Sequence, residues 1–164
     1  PLPRNAISGS FSWQGQPCSI LVRGGKVVRD WSCHYPRPES VLYKTRDGAV
    51  RIARVSSAAA LGGVVWAVGG MGLLGGYDPE LDGFTGVYSD VLRKTNHTVL
   101  GYKGGMLYGV YCRSMTAQQV NALCRDKLKL TCAVMLDGGH VAAINGACSK
   151  INTNQRQFYA VRFL

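Results

Sequence analysis

The stretch His97-Thr98-Val99-Leu100-Gly101-Tyr102-Lys103-Gly104-Gly105-Met106-Leu107-Tyr108-Gly109-Val110-Tyr111-Cys112 decides the fold. Two β-prone runs flank a Gly-Gly pair, the chemistry of a two-residue hairpin loop whose central residues need positive φ. The same grammar recurs twice upstream. Residues 19–22 and 26–29 flank Gly24-Gly25, and residues 41–44 and 49–54 flank Asp47-Gly48. Three hairpins in one chain predict a mainly antiparallel sheet. Downstream the period changes. Ala117, Val120, Leu123, Cys124 and Leu128 recur at three- and four-residue steps, which predicts a helix over 116–128. Ser114 or Thr116 is its candidate N-cap, and Lys127 and Lys129 suit its C-terminal dipole end. A continuous apolar run over 131–136 follows, so strand, helix and strand in this order predict a crossover. Residues 141–144 and 158–163 read as further strands, and 149–157 as a polar loop. No internal repeat or linker interrupts the chain. The expected fold is therefore α+β, a curved, mainly antiparallel sheet with one main helix (116–128) packed on it, in a single domain spanning 1–164.

Composition narrows the class. Of 164 residues, 46% are hydrophobic, which excludes a disordered or collagen-like chain. Lys plus Arg number 19 against 9 Asp plus Glu, giving +10. Only 17% of residues are charged, so the excess reflects missing carboxylates. The positive field favours an anionic partner. No run of five Lys/Arg occurs, nor a basic stripe interleaved with aromatics, so a nucleic-acid partner is disfavoured. Glycine numbers 21, about twice its usual share, which argues against a helical bundle. The cysteines are Cys18, Cys33, Cys112, Cys124, Cys132 and Cys148. None forms a C-x-x-C pair, so zinc-ribbon and thioredoxin-type sites lack support, and Cys112, Cys124 and Cys132 lie in apolar segments as buried thiols do. Residues 55–77 carry no charge and reach membrane-spanning length, but seven glycines interrupt them. They read as a turn, a buried strand over 64–68 and a Gly-rich loop rather than a membrane span. The first residues lack the basic start and apolar core of a signal peptide.

The sharpest chemical motif is Met135-Leu136-Asp137-Gly138-Gly139-His140. A carboxylate closes an apolar strand, and two glycines let a ligand reach the backbone. Asp137 suits a general acid, a general base or a ligand to a divalent cation, while the Gly138 and Gly139 amides suit an anion. An ordinary Asp-Gly turn between two strands accounts for the same residues equally well. His140 has the ring chemistry for proton transfer, as do His97 and His34, though a partly exposed structural histidine is the commoner case. Asn96-His97-Thr98 fits a glycosylation sequon. Glu80 and Asp82 follow Asp78-Pro79 and read as a solvated acidic turn rather than a glycosidase pair. Gly69-Gly70-Met71-Gly72 lacks the Lys and Ser/Thr of a P-loop, and reads as a loop that brings backbone close to something.

Taken in chain order, these pieces resemble the phosphodiester glycosidase family, in the catalytic domain of the type that uncovers mannose 6-phosphate. The opening Ile7-Ser8-Gly9-Ser10-Phe11 and Leu21-Val22-Arg23-Gly24-Gly25-Lys26-Val27-Val28 is similar to the family's first hairpin. Trp66-Ala67-Val68-Gly69-Gly70-Met71-Gly72-Leu73-Leu74 resembles its Gly-rich segment, and Thr98-Val99-Leu100-Gly101 the end of its Arg-Thr-Ala-Ile-Gly strand. Ser114-Met115-Thr116 and Ala133-Val134-Met135-Leu136-Asp137-Gly138-Gly139 are similar to its helix start and Leu-Asp-Gly-Gly-Gly-Ser motif. Four positions depart from the pattern: Ser8 stands for Asn, His97 for Arg, and His140-Val141 for Gly-Ser. The resemblance implies hydrolysis of a sugar-1-phosphodiester, with an anionic small molecule or glycan phosphodiester as partner. Asp137 would then be the acid/base or cation-positioning carboxylate, and Arg93, His97 or His140 would neutralise developing charge. Gly69, Gly70, Asn96, Gly138, Gly139 and Ser10 would contact substrate. A non-catalytic domain binding a phosphorylated sugar or nucleotide in the same cleft is the alternative, and nucleic-acid binding a weaker third.

Overall fold

The computed structural model describes residues 2–30, 32, 37–153 and 159–163. Cys33, His34, Phe158 and residues 154–157 of the expected polar loop lie outside the described residues. In chain order the strands are β1 (Ala6–Ser8), β2 (Ser12–Trp13), β3 (Gln16–Pro17), β4 (Leu21–Arg23), β5 (Lys26–Arg29), β6 (Glu39–Thr45), β7 (Val50–Val55), β8 (Val64–Gly72), β9 (Thr95–Lys103), β10 (Met106–Met115), β11 (Cys132–Gly138), β12 (Ile144–Asn145), β13 (Lys150–Ile151) and β14 (Ala160–Arg162). Helix α1 covers Ala117–Ala122 and continues as a wider turn over Leu123–Lys127. Among the described residues every ladder is antiparallel. An eight-stranded sheet runs β10-β9-β11-β8-β4-β5, with β6 paired to β8 and β7 to β6, and a second sheet runs β13-β12-β1-β14.

All three hairpins form where the turn residues place them. Between β9 and β10, Gly104 and Gly105 both adopt positive φ (56° and 87°), the left-handed pair that a tight hairpin requires. The crossover forms too. β10 and β11 each pair antiparallel with β9 between them, so they run the same way and the helix bridges them. Thr116 caps that helix. Its hydroxyl accepts from the Gln119 amide while the Gln119 side chain accepts from the Thr116 amide. At the other end Leu128 N–H reaches back to Leu123 O, widening the last turn, and Lys103 Nζ donates to Leu128 O at 3.1 Å.

Alternate residues of the central strands feed two different cores. Val99, Ala133 and Met135 pack with Val120 and Cys124 under the helix, whereas Leu100, Cys132, Val134 and Leu136 pack with Ile7 and, at the margin, Ile144 and Val161 of the second sheet. The large sheet is thus covered by the helix on one face and the small sheet on the other. That explains why 132–136 is apolar at every position rather than alternating.

Two expectations need correcting. The Gly-rich segment after Val68 is strand, not loop: β8 runs to Gly72 in one buried stretch. Its glycines are packing residues. A Cβ on Gly69 would lie 2.5 Å from Glu39 Oε1, and one on Gly70 would collide with Met135 O. Residues 141–144 are not a strand either. A single tight turn covers Gly139–Val141, and pairing resumes only at Ile144. Among the described residues no helix is long and apolar enough to cross a membrane.

Candidate functional site

The site forms where the two strands that flank β9 leave regular register. β11 shifts against β9 between Met135 and Gly138, and β10 shifts against β9 between Cys112 and Met115, where Ser114 takes positive φ. Such bulges re-aim side chains. The first frees Asp137 from the ladder. Its N–H donates to Gly9 O at 3.1 Å and its carbonyl accepts from Thr98 Oγ1 at 2.7 Å, so the backbone is clamped from both sides. Gly138 is needed there because a Cβ would stand 2.6 Å from Asn96 O.

Asp137 opens into a cleft of about 90 Å³ lined by Phe11, Asp90, Val91, Arg93, Thr95 and His97, with Gly138 and Gly139 at its floor. Phe11 is held by Phe84, ring centroids 5.2 Å apart. The Asp137 carboxylate is half-buried and, among the described residues, receives only the Gly138 amide, at 2.8 Å. Burial therefore pushes its pKa up to about 6; the Gly138 amide opposes the shift and the Asp90 charge adds to it.

Of the four side chains expected to do chemistry, the structure brings Asp137, His97 and Arg93 to this cleft. Their characters differ. His97 is fully buried, its Nε2 2.8 Å from Met115 O, and burial lowers its pKa against the opposing backbone hydrogen bonds at Met115 and Arg93. Burial thus disfavours the charged ring, which is buried against the backbone rather than presented as a guanidinium would be. Among the described residues, the cationic group lining the cleft is Arg93, whose side chain is exposed. His140 is exposed and outside the lining; its carbonyl accepts from Thr153 Oγ1.

The expected substrate-contacting residues also divide. Gly138 and Gly139 line the cleft. Gly69 and Gly70 are buried in β8 against Glu39 and Met135. Ser10 donates to Gly69 O at 2.6 Å, and Asn96 Oδ1 accepts the Ser114 amide at 3.2 Å, so both hold the frame. Sequence reasoning missed Asp90, Phe11 and Thr95. Asp90 lies in the short helical segment Gly86–Leu92, which carries no periodicity to announce it. Among the described residues no three His, Cys, Asp or Glu side chains gather into a metal shell.

The carboxylate expected to be a solvated turn is the reverse. Asp82 is fully buried, paired with Arg54 Nε at 2.7 Å and bonded to Ser40 Oγ at 3.0 Å and the Gly72 amide at 2.7 Å. Glu80 beside it is exposed.

This fold is similar to that of a solved glycosidase catalytic domain. That domain belongs to the zebrafish N-acetylglucosamine-1-phosphodiester alpha-N-acetylglucosaminidase, solved auto-inhibited by its pro-peptide; the similarity has a TM-score of 0.67 at 20% identity. It covers 85% of this chain and 53% of that one, so this chain spans about half the length of the structure it matches. At that identity the likeness is one of fold. No protein-family profile matches the sequence, and no curated protein matches it.

Proposed function

We propose that the protein is a glycosidase-type hydrolase that cleaves a sugar-1-phosphodiester bond, with Asp137 as its general acid. One observation carries this reading: a carboxyl group clamped by its backbone at a strand end, under-supplied with donors, has a pKa near 6 in a cleft also lined by Arg93. A group poised there holds a proton in a useful fraction of molecules near neutrality and delivers it to a leaving oxygen. The bond broken joins the anomeric carbon to the phosphate oxygen, which departs with the electron pair and takes the proton from Asp137. Arg93 is the cation available to a phosphate at the cleft, and its planar fork suits phosphate oxygens. The net charge of +10 attracts such an anion. The solved neighbour is named for N-acetylglucosamine-1-phosphodiesters, which makes that class the first to try.

The test is turnover of the methyl diester of N-acetylglucosamine-1-phosphate, followed by ³¹P NMR for the monoester. Wild type releases product, and Asp137→Asn is slower by about 10²–10⁴-fold, the range for losing a positioned proton donor. Equal background release by both variants overturns the enzyme reading. A second reading, a non-catalytic binder of a phosphorylated sugar, is favoured by the burial of His97 against Met115 O and the exposure of His140. Calorimetric binding of the diester without product distinguishes it.

A further inference from the structure

The cleft holds a second carboxylate with no place in the chemistry above. Asp90 is carried on the segment Gly86–Leu92, which comes from a different part of the chain than β11 and lines the same cleft as Asp137. The two carboxylates differ in every respect that matters to proton transfer. Asp137 is half-buried and receives one amide, whereas Asp90 is exposed to water on the rim. Asp90 is also close enough for its charge to be felt at Asp137. Paired carboxyl groups in unlike surroundings are how one cleft provides an acid and a base together.

We propose that Asp90 is the base of this site, taking a proton from the water that attacks the sugar while Asp137 protonates the departing phosphate. The inference rests on the hydrolase reading given above. In the step, the water oxygen bonds to the anomeric carbon and one water proton passes to Asp90. The carbon–oxygen bond to phosphate breaks, its electron pair stays on that oxygen, and the Asp137 proton follows. The products are the free sugar hemiacetal and a phosphomonoester, and solvent returns the proton from Asp90 to Asp137. The other groups facing Asp137 do not compete for the role. His97 on β9 is buried and bonded to Met115 O, and Arg93 carries no basic lone pair at working pH. Cys18, whose thiol feels the Asp137 charge, has its own pKa raised by burial.

The experiment compares wild type, Asp90→Asn and Asp90→Glu with the same methyl diester, with and without added sodium azide. Asp90→Asn loses about 10²–10⁴-fold in kcat/KM and its acidic limb disappears from the pH profile. Azide, which attacks without needing a base, restores turnover and yields the glycosyl azide. Asp90→Glu keeps a measurable fraction of the rate. In parallel, ¹³C NMR of the Asp137 carboxyl shows its midpoint falling in Asp90→Asn, a readout that needs no substrate. Turnover by wild type with an unchanged rate and pH profile in Asp90→Asn, or a slow variant that azide does not rescue, overturns the assignment while leaving the hydrolase reading intact. Absence of turnover in wild type, with the Asp137 midpoint still responding to Asp90, overturns the hydrolase reading and the base with it.

Discussion

The tripeptide Leu-Asp-Gly occurs twice, as Leu81-Asp82-Gly83 and as Leu136-Asp137-Gly138, and the two aspartates have opposite fates. Asp82 is fully buried with an arginine, a hydroxyl and an amide directed at it. Asp137 is half-buried with a single amide from its own neighbour, and its pKa is near 6. Burial strips hydration from both, and more completely from Asp82. What separates them is the number of donors that replace the lost water. A fully supplied carboxylate serves as a fastening; an under-supplied one has its pKa lifted by burial towards the pH where it must act.

The comparison breaks most visibly at the fastening. Asp82→Ala takes the shared acceptor from the Arg54 Nε, the Ser40 hydroxyl and the Gly72 amide, while Arg54 Nη2 keeps Gly76 O. Its expected cost is about 2–4 kcal/mol, the range for leaving buried donors without an acceptor. Urea unfolding at pH 7 reads it; a loss below about 1 kcal/mol would show that the network is ornamental.

Glu39 sharpens the contrast from another direction. It is buried beneath β8, its carboxylate accepts the Ile20 amide, and burial lifts its pKa to about 8. A folded pKa above the unfolded 4.5 means the native state holds the extra proton in between. Stability from this group is therefore highest below about pH 4.5 and declines as pH rises through 8. Glu39→Gln, which cannot ionise, removes that decline. The variant gains on the order of 3 kcal/mol over wild type at pH 8 and almost nothing at pH 4. Parallel curves for the two proteins across this range contradict the burial argument.

Asp137 obeys the same sign on a smaller scale. Its folded pKa of about 6 exceeds the ordinary 3.8, so it too costs stability progressively as pH rises from about 4 to 6. Asp137→Asn is expected to be as stable as wild type at pH 4 and more stable by about 1–2 kcal/mol at pH 7, while losing turnover. Activity and stability then move in opposite directions at one residue, as befits a group kept under-satisfied for function. Destabilisation at pH 7 makes Asp137 a second fastening and ends the contrast with Asp82.

How much of this was readable in the sequence follows from the range of each interaction. The hairpins were legible because Gly24-Gly25, Asp47-Gly48 and Gly104-Gly105 sit inside the turns they make. The helix and its crossover were legible because the spacing of Ala117, Val120 and Cys124 and the Thr116 cap are local. The strand character of Gly69-Gly70-Met71-Gly72 was not, since these glycines answer to Glu39, Met135 and Ser40 from other strands. Nor was the burial of Asp82, whose arginine lies 28 residues away. At the cleft, the aspartate with its two glycines was legible, as was Arg93. Asp90 and Phe11 were not, because segments without hydrophobic period give no hint of what they face.

The smallest expected effect tests whether the two regions are independent. Thr116 caps the helix one residue beyond Met115, whose carbonyl holds His97 Nε2 at 2.8 Å against the cleft wall. Thr116→Ala removes one side of the capping box and is expected to cost about 1 kcal/mol. The loss is purely that of an orphaned helix amide, so it should be equal at every pH from 4 to 8, with the Asp137 midpoint unmoved by ¹³C NMR. A loss that varies with pH, or a shifted midpoint, has one physical route: relaxation of the cap lets Met115 O move off His97 and water into the cleft. In that case the low donor supply at Asp137 depends on helix packing as well as on the strand end that carries it.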